Sequence, residues 1–228
     1  MQLTLGPENL QCTFHFEIEE ANKRKPKFFD NLGIYFSGGI DSTALLLLIL
    51  TELRNTNRLG ILPVTCYTII KQDFASRTVV PLLELFKEKF QIDIKHNNNI
   101  LNHNNDLYNI RPSLCVDLYL EHKTTLFFSG NNKMPPEDLV TFKNKLNVDY
   151  GYEKDKILFY TPFLYMHKPQ ILDIFYQLDG EEILSSTYSC TVESPIPCGK
   201  CYACEERAWG FEMLKKQDPL LAQNRLTE

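Results

Sequence analysis

The chain lacks the features that mark a membrane-spanning, secreted or nucleic-acid-binding protein. Its longest unbroken apolar run, Ala44 to Leu50, falls far short of the ~20 residues a helix needs to cross a bilayer. The amino terminus has no basic stretch followed by an apolar one, so no secretory signal is read there and a cytoplasmic protein without membrane contact is expected. Positive charge is in the minority, with 24 Lys and Arg against 29 Asp and Glu for a net charge of -5. No overall field would draw in a polyanion, so nucleic acid is not an expected partner. A Gly-x-x-x-x-Gly-Lys-Ser/Thr phosphate loop is absent too. With it goes the lysine that would hold a γ-phosphate.

What is present suits one moderately large α/β domain with small appendages: 228 residues, 43% hydrophobic and 23% charged. From Cys12 to Glu19 apolar and polar residues alternate, with Cys12, Phe14, Phe16 and Ile18 on one face. That is a half-buried strand, and Leu3 to Leu5 is expected to pair with it as a hairpin. After a basic turn at Asn22 to Lys27, strands and helices alternate. Strands are expected over 32–36, 61–70, 92–95 and 124–128, and helices over 42–54, 76–90, 112–122, 136–146 and 168–178. Such alternation predicts βαβ units and a parallel twisted sheet with helices on both faces, with ligands at the carboxyl ends of the strands. The expected organisation is an amino-terminal β extension over 1–30, an α/β domain over 31–180 and a carboxyl-terminal segment over 181–228.

Ser37-Gly38-Gly39-Ile40-Asp41-Ser42-Thr43 lies between the first of those strands and its helix. Gly38 and Gly39 let phosphate oxygens approach the backbone, and the helix amino terminus turns its amides towards an anion. Ser37, Ser42 and Thr43 add hydroxyl donors, while Asp41 can hold a magnesium ion or cap the helix. The bland alternative is a Gly-Gly turn whose Asp and Ser merely cap a helix.

Seven cysteines are unevenly placed: Cys190, Cys198, Cys201 and Cys204 crowd together, while Cys12, Cys66 and Cys115 stand alone. An odd total without a secretion signal argues for a metal site rather than disulfides. The spacing Cys-x7-Cys-x2-Cys-x2-Cys, with Gly199 freeing the turn, can wrap four thiolates around a structural zinc ion. An iron–sulfur cluster is the chemical rival, but Glu205-Glu206-Arg207 follows Cys204 where a ferredoxin motif would continue with cysteine and proline. Such a site would staple a segment with too little apolar surface to order itself, holding Tyr188 and Arg207 against the rim of the glycine-loop site.

The glycine loop resembles the pyrophosphate loop of the N-type ATP pyrophosphatases. Together with Thr161-Pro162, Lys168, Thr187-Tyr188-Ser189-Cys190, Cys198-Gly199-Lys200-Cys201, Cys204 and Arg207, the chain resembles the 7-cyano-7-deazaguanine synthase (QueC) family. The resemblance implies an adenine nucleotide alpha hydrolase-like (HUP-like) fold and ATP with magnesium as nucleotide. It also implies a zinc site and adenylation of 7-carboxy-7-deazaguanine, which ammonia converts to an amide and then the nitrile. Gly130 and Asn131 would lie near the nucleotide. Lys168 would hold the α-phosphate or the charge at the carboxylate, and Arg207 would neutralise pyrophosphate. His167, beside Lys168, is the one histidine worth testing. A family member also often dimerises.

Several family features are missing. The aspartate-tyrosine-glycine-glutamine stretch is replaced by Tyr67 to Asp73, and Asn109 to Ser113 stands where the family has a valine-proline-glycine-arginine-asparagine segment. The block that shapes the deazapurine pocket has no counterpart in Pro135 to Leu146. A second reading is therefore a diverged relative that modifies a protein or other macromolecular carboxylate, in anti-phage defence for example, its hairpin edge pairing with a partner chain. A third is a tRNA sulfur-transfer enzyme, which needs a reactive cysteine, although Cys66 and Cys115 both read as buried packing residues. A non-catalytic nucleotide sensor or zinc scaffold is the fourth.

Overall fold

A computed structural model describes residues 1–18, 31–68, 77–97, 126–133, 135, 153–154 and 157–224. Two strands, β1 (Gln2–Leu5) and β2 (Cys12–His15), form the expected antiparallel hairpin, with Leu5 opposite Cys12. Phe16 and Ile18 continue the apolar face of β2 into the core, where the Phe16 ring lies 6.2 Å from that of Phe128.

A second sheet has six strands: β3 (Leu32–Tyr35), β4 (Val64–Tyr67), β5 (Lys95–Asn97), β6 (Leu126–Phe128), β7 (Glu153–Lys154) and β8 (Ile157–Tyr160). Their spatial order is β5-β4-β3-β6-β8-β7, all parallel except β7 on β8. The chain order reverses between β3 and β6, and in a doubly wound sheet that switch point opens a crevice beyond the strand ends. The α/β parallel-sheet class expected from the sequence is the one observed. Leu32, Ile34, Val64, Cys66, Leu126 and Phe128 feed one core. Tyr35, Tyr67 and Phe127 point the other way, with ring centroids 6.0 and 5.7 Å apart along the row, and they too are buried. Both faces are thus covered, which explains why β3, β4 and β6 read as continuous apolar runs.

The described helices are α1 (Ile40–Asn55), α2 (Val79–Phe90), α3 (Lys168–Gln177), α4 (Glu181–Ser185), α5 (Tyr202–Met213) and α6 (Pro219–Asn224). Helix α1 is apolar all round and buried from Ala44 through Leu50. Helix α3 turns Ile171, Leu172, Ile174 and Phe175 inward, as its spacing predicts, and starts on a Pro169-containing first turn. The hairpin docks on the same helix: Asp173 accepts the Gly6 amide at 2.9 Å, and the Gln170 and Gln177 side chains donate to the Leu10 and Thr4 carbonyls.

Two boundaries differ from expectation. The second strand of the sheet is shorter than 61–70, because Ile61 is 76% exposed and Pro63 precedes the ladder. Strand β5 begins where the expected 92–95 strand ends, since Ile94 is spent in the core before pairing starts. Strands β7 and β8 and helices α4, α5 and α6 carry no sequence expectation. The basic turn at Asn22 to Lys27, the asparagine-rich loop beyond Asn97 and the helices expected over 112–122 and 136–146 lie outside the described residues.

Candidate active site and metal centre

Strand β3 ends at Tyr35, and the chain turns through Ser37, Gly38 and Gly39 into α1 at the switch point. Gly38 sits at φ +78°, in the left-handed region that favours glycine. Gly39 has φ -80°, so of the two glycines only Gly38 takes a left-handed angle. No side chain caps α1, which leaves its first amides and the positive end of its dipole for an anion. Thr43 is fully buried and donates to the Gly39 carbonyl at 2.8 Å, and Ser42, also buried, donates to the same oxygen at 3.2 Å. These hydroxyls shape the loop rather than face solvent. Ile40 is 1% exposed, so it offers its backbone alone. Ser37 is exposed and Asp41 half-buried, so these two polar side chains of the loop remain accessible.

The opposite lip comes from the loop after β6. A Cβ on Gly130 would come within 2.7 Å of the Asp41 carbonyl carbon and 2.8 Å of its oxygen, so this position packs on the first turn of α1 without a side chain. Asn131 follows, half-buried on the same loop. Asn132 donates from Nδ2 to Glu206 Oε1 at 2.8 Å.

Lys168, the first residue of α3, is 4% exposed and sends Nζ to Asp41 Oδ1 at 2.5 Å and to Glu206 Oε2 at 3.0 Å. One ammonium therefore lies between two carboxylates, and the cluster carries a net negative charge. Burial, chiefly, holds the Asp41 carboxyl up at about 6, against the pull of Lys168 and with the help of Glu206. Burial works against the Lys168 charge, but the two carboxylates prevail and raise its pKa. Glu206 is a residue that sequence reasoning passed over. Next to Glu205 it reads as a solvated acid, and its pairing with residues from distant parts of the chain leaves no local spacing.

Arg207 corrects an expectation. It is 4% exposed and forms a two-pronged pair with Asp218, Nε to Oδ2 at 2.6 Å and Nη2 to Oδ1 at 2.8 Å. Nη1 donates to the Thr187 carbonyl and hydroxyl at 3.1 and 3.0 Å, and the guanidinium lies over the Phe211 ring. Most of its donors are committed inside the protein, which argues against a pyrophosphate-neutralising role. It latches α6 instead, because Asp218 also accepts the Leu220 amide at 3.0 Å.

Cys190, Cys198, Cys201 and Cys204 converge, with all four Sγ atoms within 4.8 Å of one another. A tetrahedron of thiolates about 2.3 Å from a single ion places its sulfurs slightly under 4 Å apart, so the set fits one metal ion with modest tightening. Gly199 has φ +70°, as the tight turn requires. Burial raises the Cys201 thiol, yet the backbone donors of Thr191 and Cys204 outweigh it and bring it down to about 6, in the thiolate-favouring direction. Cys201 is the residue before α5 and Cys204 lies in its first turn, two residues before Glu206. The cluster also touches the glycine loop, since the Tyr188 amide donates to the Gly38 carbonyl at 3.1 Å. Cys66 is fully buried with its thiol pushed well up, and Cys115 lies outside the described residues. His167, expected beside Lys168, packs edge-on against Trp209 at 5.9 Å.

Residues 136–215 match the family model of the queuosine biosynthesis protein QueC. Lys168 and the four cysteines fall inside this stretch and the glycine loop outside it. The chain is 34% identical over 82 residues to a 7-cyano-7-deazaguanine synthase of Persephonella marina, covering 36% of this chain and 35% of that protein. It is 31% identical over 94 residues to one of Methanospirillum hungatei, covering 41% of each. The similarity to QueC proteins is thus confined to part of the chain, which spans about two fifths of the length of the curated relatives it matches. Among solved structures, the U34-tRNA thiolase NcsA of Methanococcus maripaludis with its 4Fe-4S cluster aligns at TM-score 0.45 and 13% identity, over 85% of this chain and 68% of that one. The NH3-dependent NAD synthetase of Campylobacter jejuni aligns at 0.42 and 19%, over 71% and 69%. No helix among the described residues is long and apolar enough to cross a membrane.

Proposed function

We propose that the chain cleaves ATP to AMP and pyrophosphate at the Ser37–Thr43 loop to adenylate a carboxylate, and that the acceptor is 7-carboxy-7-deazaguanine. The observation that carries this reading is the Lys168 ammonium lodged against Asp41 at the mouth of an uncapped helix amino terminus. That arrangement suits a phosphate chain with its magnesium ion. The acceptor's carboxylate oxygen attacks the α-phosphorus, and the bond to the β-phosphate oxygen breaks. The amides at the α1 terminus receive the departing pyrophosphate, and Lys168 balances charge at the α-phosphorus. Ammonia then displaces AMP to give the amide. A second adenylation, on the amide oxygen, allows loss of AMP and a proton to leave the nitrile.

The four cysteines hold a structural zinc ion in this reading. Their mutual distances support one ion, because a four-iron cube would spread the thiolates further apart. The closed four-thiolate set orders the segment and takes no part in the chemistry.

The test is incubation with magnesium-ATP, ammonium and 7-carboxy-7-deazaguanine, with AMP, pyrophosphate and nitrile followed by mass spectrometry. Nitrile formation supports the proposal. AMP released only in the presence of a partner protein would transfer the same chemistry to a macromolecular carboxylate. Unchanged ATP cleavage in Asp41→Ala and Ser37→Ala would remove the loop from the reaction altogether.

A further inference from the structure

Glu206 and Gly210 are four residues apart on α5, hence on one face of the helix, and both meet Lys168. Gly210 passes under the lysine stem, where a Cβ would come within 2.8 Å of Lys168 Cγ, and Glu206 takes the ammonium at 3.0 Å. The other oxygen of Glu206 accepts Asn132 from the β6 loop. Each carboxylate oxygen of Glu206 is thus occupied, one by the lysine and one by the lip of the crevice.

The two carboxylates around Lys168 are not equivalent. The Asp41 side chain is 27% exposed at the glycine loop, whereas that of Glu206 is 6% exposed. A cation arriving with a phosphate chain reaches Asp41 and leaves Glu206 in place. Were Asp41 the sole partner, its diversion would strand a buried ammonium without a counter-charge, and the lysine would have to leave the site.

We propose that Glu206 is the positioning residue for Lys168: it is the counter-ion that keeps the ammonium at the crevice while Asp41 is drawn to the incoming nucleotide. Glu206 acts through Lys168 and touches no reacting atom. Because it stands two residues from Cys204, the α5 helix joins the cysteine cluster to the lysine by a single rigid element. The diversion of Asp41 and the kinetic arm rest on the ATP-cleaving reading, whereas the Glu206–Lys168 clamp itself does not.

The test compares wild type, Glu206→Gln and Glu206→Asp, each checked for wild-type metal content and melting temperature. Lysine reactivity is read by brief acetylation with acetic anhydride and peptide mass spectrometry. Removing the charge should raise acetylation at Lys168 about fivefold, a shift of roughly 1 kcal/mol in the clamp, with other lysines unchanged, and Glu206→Asp should restore part of the protection. The kinetic arm expects Glu206→Gln to lower kcat for AMP release about tenfold with the KM for ATP within about twofold, the pattern of lost orientation rather than lost binding. Wild-type Lys168 acetylation in Glu206→Gln would overturn the positioning role. If wild type itself released no AMP, the ATP-cleaving reading would fail while the acetylation result would still decide the role of Glu206.

Discussion

The glycine loop and the cysteine segment lie against each other but are ordered by different means. The loop inherits its shape from the sheet and from α1, whose side chains are buried from Ile40 to Leu53 almost without interruption. Around the cysteines the buried residues are of another kind. Helix α5 buries Cys204, Glu206, Arg207, Gly210 and Phe211, only one of them a large apolar residue. A separate small core joins Tyr188, Cys190 and Cys204, with Cys198, Cys201 and Leu220 packed on it. Apolar burial is non-directional and persists across ordinary solution conditions. Thiolates and buried ion pairs order a chain only while their partners remain in place. The first region should therefore be robust and the second conditional.

The widest separation between the two should come from metal removal. Thiolate–metal sites supply on the order of 10 kcal/mol in small zinc peptides. Stripping the metal should thus expose amides over 187–224 to hydrogen exchange while those of 32–53 stay protected. Equal loss of protection in both stretches would erase the contrast. Next comes the Arg207–Asp218 latch. Asp218→Asn leaves a buried guanidinium without its counter-charge and should lower stability by about 3 kcal/mol in urea unfolding. A change below about 0.5 kcal/mol would show the pair to be idle.

Gly130→Ala probes the robust side. Its methyl group would press on the backbone of Asp41 and Ser42, which cannot yield as a side-chain tip can. A cost of about 1–3 kcal/mol in thermal unfolding is expected, together with weaker ATP binding by calorimetry. Unaltered binding would mean that the β6 loop does not form the second lip.

The most gradual effect, at most about 1.4 kcal/mol for each pH unit, concerns pH. Asp41 rises from an ordinary 3.8 to about 6 in the folded chain, mainly through burial. The folded state therefore holds this proton more tightly. The contribution to stability is present below pH 3.8 and fades as pH climbs to about 6, by at most about 1.4 kcal/mol per pH unit. In Asp41→Asn that slope should vanish from pH-dependent urea unfolding, and an identical slope would assign it to another group.

Much of the sheet was legible because its signals are local. Period two marked Phe14, Phe16 and Ile18, apolar runs marked β3 and β6, and the glycine pair fixed the turn before α1. The cysteine spacing likewise predicted the convergence of four thiols, since its steps lie close together in the chain. Partnerships across the chain were not legible. Lys168 meets Asp41 over 127 residues of sequence, and nothing near either residue announces the other. Arg207 looked free to reach a phosphate because Asp218, its partner, carries no periodic or motif signal. Helix α5 escaped notice for a related reason. Its inward face is charged and small rather than apolar, so its pattern resembles that of a solvated segment.

The bond from the Tyr188 amide to the Gly38 carbonyl has a consequence for how the protein comes into being. A trans peptide is planar, with its N–H opposed to its C=O, so fixing the Gly38 oxygen also aims the Gly39 amide away from Tyr188. The loop leaves the ribosome early, whereas the segment that sets this amide leaves late. A nascent chain that has already folded its first strands thus carries the loop with one peptide plane unset. Competence for nucleotide would arrive as a late step of synthesis, when the cysteine segment closes over a turn made long before it.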